Sequence, residues 1–253
     1  MLPSLPPEVL PAALITVFAA LLAGLARGFS GFGAAMVFVP LASATLGPVV
    51  AVPVLLIADL LVALPVIAKA TRVCSWPDVR AVAIGGIIGL PIGNQILTAT
   101  DPVAVRWAVT VLILACLVLM VGGWRMPGAG RPTATGAVGL VSGLMSGLAQ
   151  IGGPPVVVYW LSMAMETVRM RASLIVYFAI LMWLSLLLFV ARGLLGPTVL
   201  WLGLLAAPGY AIGIWLGTAS FGLASPTTFR RIAIALVALS TLLGMPVLDP
   251  WLR

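Results

Sequence analysis

The chain contains no histidine. Its absence removes the side chain that most often serves as a general base and as a metal ligand. Charge is nearly as scarce, with six acidic and thirteen basic residues in 253, and Lys69 is the single lysine. Two cysteines, Cys74 and Cys116, lie on different segments without metal-ligand spacing and are expected to be unpaired thiols. Neither a zinc-protease helix nor a phosphate-binding loop occurs. No catalytic residue, metal or cofactor is therefore assigned, and the chain is not expected to be an enzyme.

What is present is apolar. Hydrophobic residues make up 62% of the chain, and the mean hydropathy is +1.25. No soluble domain of this length could hide that much apolar surface, so the solvent is a lipid bilayer. In a soluble protein the formal charge of +7 would suggest nucleic acid. Here the arginines sit mostly between apolar runs, so the excess is a topology signal and no nucleic-acid partner is expected. The first nine residues hold Glu8, three prolines and no Lys or Arg, unlike the basic start of a cleaved signal peptide.

Apolar runs fall at residues 10–26, 34–46, 49–68, 79–97 and 103–122, then at 135–148, 155–165, 172–191, 198–217 and 229–247. The link between the two sets, WRMPGAGRPTAT, is rich in Pro, Gly and Arg. Within each set one apolar stretch is interrupted by glycine. The first reads GLARGFSGFGAAMVFVP from Gly24, the second GLMSGLAQIGGPPVVVYW from Gly143. At a constant offset of 119, Gly24 matches Gly143, Gly28 matches Gly147 and Gly33 matches Gly152. Gly85, Gly89 and Gly93 match Gly209, Gly213 and Gly217 at an offset of 124, as Asp101-Pro102 matches Ser225-Pro226 and Arg106 matches Arg230. These correspondences mark an internal duplication.

Loop charge sets the expected topology. With the N-terminus outside and each broken segment counted as a there-and-back pair, Lys69, Arg72, Arg80, Arg125, Arg131, Arg169, Arg171, Arg230 and Arg231 lie inside. Only Arg106, Arg192 and Arg253 fall on the other face. The expected fold is all-α: a polytopic membrane protein of two inverted repeats, about five helical segments each, with broken or re-entrant helices in each half. Residues 1–123 form the first membrane repeat, 124–134 the link and 135–253 the second repeat. The location is the cell membrane, with both termini on the non-cytoplasmic side. Run 34–46 has thirteen residues, about 20 Å of helix against a hydrocarbon core of roughly 30 Å. Loop charges do not separate a re-entrant pair from a full hairpin.

The breaks are where chemistry is expected. Gly152 and Gly153 allow unusual backbone conformations, and Pro154 or Pro155 suits a first helical turn. A helix starting there would aim free amides and the positive end of its dipole into the membrane interior, which favours a small anion. Gln150 could add a side-chain amide. In the first half Ser30 could donate a hydroxyl, with Gly31 and Gly33 allowing close approach. The alternative is that these glycines only let helices pack closely. Arg27 either attracts an anion or anchors its helix to the interface. Asp59, the one acid near the middle of an apolar run, is either a coupling site or an acid held neutral or paired with an arginine. Asn94 and Gln95, near the end of their helix, have two readings, an interfacial role, which is the expectation, or a ligand contact; the spaced glycines are expected on helix-packing faces. Gly28-Phe29-Ser30-Gly31 also has the look of an intramembrane serine-protease motif, but that chemistry lacks its base here.

At RGFSGFGAAMVFVPLAS from Arg27, SGLMSGLAQIGGPPVVVYWL from Ser142 and RASLIVYF from Arg171, the chain resembles the TauE/SafE sulfite-exporter family, over nearly its whole length. The resemblance implies a permease for sulfite, sulfonates or other sulfur oxyanions, with the glycine-rich elements at Gly28, Gly31 and Gly33 and at Gly147, Gly152, Gly153 and Pro154. Where many members have a denser glycine run, this chain has Ala34 and Ala35. The combined expectation is a secondary transporter, an exporter, of small sulfur oxyanions, working by alternating access with the anion between the two breaks. A passive anion channel and a non-transport membrane scaffold are the alternatives. The partners are the anion, the bilayer and a possible homodimer mediated by the glycine faces.

Overall fold

The structure, a computed structural model, describes residues 9–30, 33–122, 126, 128–163, 165–220 and 226–248. Among them are ten α-helices and no strand: α1 (Val9–Ser30), α2 (Ala34–Leu46), α3 (Pro48–Ala70), α4 (Trp76–Ala99), α5 (Pro102–Val121), α6 (Pro132–Ala149), α7 (Gly153–Ser162), α8 (Thr167–Ala191), α9 (Pro197–Ala219) and α10 (Pro226–Leu243). Each apolar run became one helix. Local chemistry sets several starts. Asp101 Oδ2 accepts from the Val103 and Ala104 amides at 2.9 and 3.1 Å, and Pro102 occupies the first turn of α5.

Six helices are long and apolar enough to cross a membrane: α1, α3, α4, α5, α8 and α9. Their outward faces carry large aliphatic and aromatic side chains, among them Ile84, Ile88, Val118, Leu187 and Trp215. Such apolar faces match hydrocarbon and not water. The short helices are different. α2 has 13 residues and α7 has 10, about 20 and 15 Å at 1.5 Å per residue, too short to cross a core of roughly 30 Å.

The chain forms two compact units that interleave the two sequence halves. One holds residues 1–59 and 194–253, the other residues 60–193. In the first unit α1 lies along α9, and α2 packs on α1 and α10. In the second, α4 lies along α6 and also meets α8, while α7 contacts α5, α6 and α8.

The glycine faces are the seams of these pairs. A Cβ on Gly147 would lie 2.0 Å from the Leu90 carbonyl oxygen and 2.7 Å from the Asn94 nitrogen. In the other unit, a Cβ on Gly28 would lie 2.6 Å from the Ile214 oxygen and 3.0 Å from the Thr218 nitrogen. Likewise Gly89 abuts the Leu140 oxygen and Leu144 nitrogen, and Gly213 abuts the Leu21 oxygen and Leu25 nitrogen. These are the same contacts at offsets of 119 and 124. Both pairs run parallel, because partner numbers rise together. Backbones this close are how membrane helices gain dispersion contact without a hydrophobic driving force. With the glycine faces occupied inside each unit, they give no support to a homodimer.

Helix α7 returns alongside α6. Gly152 sits against Ser142 and Ser146, and further along Tyr159 meets Thr135 through their hydroxyls. At its far end the Ser162 hydroxyl accepts from the Met126 amide at 2.8 Å. The second broken segment is thus a there-and-back hairpin, with its tip at residues 150–152.

Candidate functional site

In the second unit the α6–α7 hairpin tip concentrates polar groups inside an apolar wall. Helix α6 ends with Gln150 in the left-handed region, φ 58°, the one non-glycine residue with positive φ among those described. Its amide donates to the Ser146 carbonyl at 2.8 Å, and the Ile151 amide reaches back to the Met145 carbonyl at 3.3 Å. That closure ordinarily uses glycine in the left-handed position. The sequence reading gave the unusual backbone to Gly152 and Gly153. Gly152 instead has ordinary helical angles, φ −67° and ψ −1°, and Gly153 opens α7. Gly152 is glycine for space: a Cβ would lie 2.1 Å from Ser146 Oγ and 2.4 Å from the Ser142 carbonyl oxygen.

A short relay pins this turn. The Tyr177 hydroxyl of α8 donates to Ser142 Oγ at 2.9 Å, and Ser142 Oγ donates to the Gly152 carbonyl at 2.6 Å. Both residues are fully buried. Pro154 and Pro155 occupy the second and third positions of α7. They lack amide hydrogens, so of the four donors a helix start normally leaves open only those of Gly152 and Gly153 remain. The helix end is a weaker donor than its position suggests, and side chains must add the rest.

Those side chains are present. Ser146 is 6% exposed and its Oγ, against Gly152, has no hydrogen-bond partner. Gln150 Nε2 is likewise buried and unpaired. A buried polar atom without a partner costs about 1–3 kcal/mol, so two at one hairpin tip, beside two open amides, make this tip the candidate site for a hydrogen-bond-accepting ligand. Exchange of Gln150 for Gly separates the two roles of this residue. Gln150→Gly should raise stability by roughly 1 kcal/mol, by relieving the left-handed strain, while weakening anion binding; unfolding in detergent and ligand titration on the same sample read both.

The first break is described only in part. The Ser30 side chain, Gly31 and Phe32 lie outside the described residues. Gly33, φ 92°, caps α2 in the left-handed region, and its carbonyl accepts from the Met36 amide at 3.1 Å. Gly28 is one of the contact glycines facing α9.

In this same unit Arg27, Asp59 and Tyr210 close a ring. Arg27 Nη1 lies 2.6 Å from Asp59 Oδ2 and donates to the Tyr210 hydroxyl at 3.1 Å, and that hydroxyl donates to Asp59 Oδ1 at 3.1 Å. Of the readings open for Asp59, the structure shows pairing with an arginine. Position 27 corresponds to Ser146 at the offset of 119, so a neutralised cation in one unit stands where the other has an unpaired hydroxyl. Ser142, Ser146, Tyr177 and Tyr210 were not singled out from the sequence. Serines at 142 and 146, one helical turn apart and just before the break, were the available signal. Asn94 and Gln95 part company: Gln95 is exposed, while Asn94 is fully buried within the protein.

Six long apolar helices, with shorter helices at the glycine breaks, mark a polytopic membrane protein. The family model for the sulfite exporter TauE/SafE matches residues 16–243, and the chain belongs to that family. Its members are exporters and not enzymes. The chain is 27% identical over 184 residues to a Cupriavidus necator protein described as "Probable sulfite/organosulfonate exporter TauE", an overlap of 70% of this chain and 71% of that one. No solved structure matches the chain.

Proposed function

We propose that the protein exports a small sulfur oxyanion of the sulfite or sulfonate class, bound at the tip of the α6–α7 hairpin. The observation that carries the site is Ser146: a hydroxyl within a buried residue, unpaired, against Gly152, the residue that caps the start of α7. Ser146 Oγ, Gln150 Nε2 and the Gly152 and Gly153 amides are the donors, and Pro154 lies in the first turn of the helix that carries the dipole. All are neutral, so they match an oxyanion without fixing it by a full charge, which suits a ligand that must leave again. The class of cargo comes from the family and from the name of the Cupriavidus relative.

In the first break, Gly28, Ser30, Gly31 and Gly33 are proposed as the equivalent element of their own unit. The transport cycle proposed is alternating access by two inverted repeats, in the cell membrane with both termini outside. Asp59 is proposed as the proton-coupling group, its state linked to Arg27 and Tyr210, the two polar groups that touch it. Asp59→Asn should then abolish the pH dependence of flux and spare anion binding; an unchanged pH profile contradicts that role.

Labelled sulfite uptake by proteoliposomes tests the whole. Saturable uptake that shows counterflow, and is blocked by organosulfonates, supports the transporter. Flux proportional to concentration without counterflow supports a passive channel. No flux from folded protein, with no anion stabilising it, supports a scaffold.

A further inference from the structure

Outside the residues already assigned, the least expected group in the second unit is Asn94. It is 0% exposed, and neither Nδ2 nor Oδ1 has a hydrogen-bond partner. A carboxamide can fill up to four hydrogen-bond positions, so leaving both ends unpaired inside a protein is costly unless something completes them.

Its position follows from helix register. Helices α4 and α6 run parallel, with Val82 against Gly139, Gly86 against Gly143 and Leu90 against Gly147. One turn on, the Asn94 nitrogen also meets Gly147. Asn94 is therefore level with the end of α6, where the chain turns at Gln150. Asn94, Ser146 and Gln150 leave buried polar atoms unpaired at the level of one hairpin tip. Positive charge is fixed nearby, since Arg192 Nη1 donates to the Asn94 carbonyl at 3.2 Å and to Thr98 Oγ1 at 2.7 Å.

We propose that Asn94 is a specificity-determining residue that selects oxyanions carrying a hydrogen-bond donor of their own. This rests on the reading of the hairpin tip as the anion site. The other groups there, Ser146 Oγ, Gln150 Nε2 and the two glycine amides, can all donate, and an oxyanion that accepts from them satisfies each. Asn94 differs because Oδ1 only accepts. A fully deprotonated, donor-free anion satisfies Nδ2 and leaves Oδ1 unpaired. An anion with a hydroxyl or ammonium group satisfies both. Hydrogensulfite in its S–OH form and short hydroxy- or aminoalkanesulfonates are of that class; sulfite dianion and plain alkanesulfonates are not.

The equivalent position in the other unit supplies the control substitution. At the offset of 124 it is Thr218, whose hydroxyl donates to the Ile214 carbonyl in its own helix at 2.8 Å. A threonine at 94 can bond the Leu90 carbonyl in the same way, which removes the carboxamide and leaves no new unpaired group. Asn94→Leu is the apolar variant of similar size.

The test is competition of 2-hydroxyethanesulfonate and 1-propanesulfonate, equal in heavy atoms, against labelled sulfite on purified protein. The wild type should prefer the hydroxylated anion by about tenfold or more, and Asn94→Thr and Asn94→Leu should each reduce the preference to about twofold or less. Thermal unfolding in detergent confirms that at least one variant is folded; should Leu fail, Thr decides. A preference unchanged in the folded variant overturns the role of Asn94 and leaves the anion site standing. Equal wild-type affinity for the two sulfonates also overturns it. Wild-type protein that binds none of the three anions overturns the anion site, and this inference with it.

Discussion

Asp59→Ala is expected to lower the unfolding free energy by about 2–3 kcal/mol, somewhat less than removing one partner from a fully buried ion pair, because this pair is partly buried. Asp59 and Arg27 are 15% and 26% exposed at their side chains, so solvent screens only part of the charge left behind. Tyr210 compounds the loss, because its hydroxyl both accepts from Arg27 and donates to Asp59. Tyr210→Phe alone should cost about 1 kcal/mol, one net hydrogen bond. The double variant Arg27→Met, Asp59→Leu removes both charges and should recover most of the deficit, since apolar replacements of whole buried pairs are commonly neutral or stabilising. Unfolding by SDS in mixed micelles measures all four proteins on one scale. A deficit under about 1 kcal/mol for Asp59→Ala would show that the ring is well solvated and of little consequence to the fold.

Ser146→Ala is expected to move stability and function in opposite directions. The hydroxyl is buried and has no partner, so its removal should be neutral or should stabilise by up to about 1 kcal/mol. The same change should weaken anion binding about tenfold, one lost hydrogen bond to a charged group. A purely structural serine would show the reverse, lower stability with unchanged affinity. The opposed signs make this substitution more telling than Gly152→Leu. Gly152 has no room even for a methyl group, so loss of flux there would report a broken hairpin and not a missing ligand contact.

Much of the fold was legible because apolar runs long enough for a membrane leave few choices. Run 34–46 became α2 with the same limits, and each of the other nine runs became a helix. The duplication was read from glycine spacing; in the folded chain the contacts of Gly28 on α9 parallel those of Gly147 on α4, and those of Gly89 on α6 parallel those of Gly213 on α1. The pairing was not legible. Glycines spaced by four mark a face, but nothing in them names the partner, so the joining of α1 with α9 and of α4 with α6 across the sequence halves came from the structure alone.

The site shows the same division. Gly152, Gln150 and Pro154 were singled out because a glycine-proline break in an apolar run is conspicuous. Ser142 and Ser146 were not, and Asn94 was weighed toward the interface, because a small or amide residue within an apolar helix also reads as helix packing or interface. Only burial without a partner sets Ser146 and Asn94 apart. Gln150 shows where a rule of thumb fails: the left-handed residue of the break is the glutamine, and the glycines after it serve close approach. Arg27 and Asp59 are 32 residues apart, and pairing with an arginine stood among the readings of Asp59. Tyr210 carried no sequence signal, since its place in the ring follows from the α1–α9 seam.

Equilibrium binding of labelled sulfite to purified protein is the most direct measurement of the central claim. It would compare wild type with the double variant Ser146→Ala, Gln150→Gly, each checked for folding by its unfolding curve. The expected result is saturable binding by wild type, displaced by organosulfonates, and a loss of about a hundredfold in affinity for a double variant at least as stable. Saturable binding with the same affinity in both proteins would place the anion elsewhere and contradict the assignment of the hairpin tip.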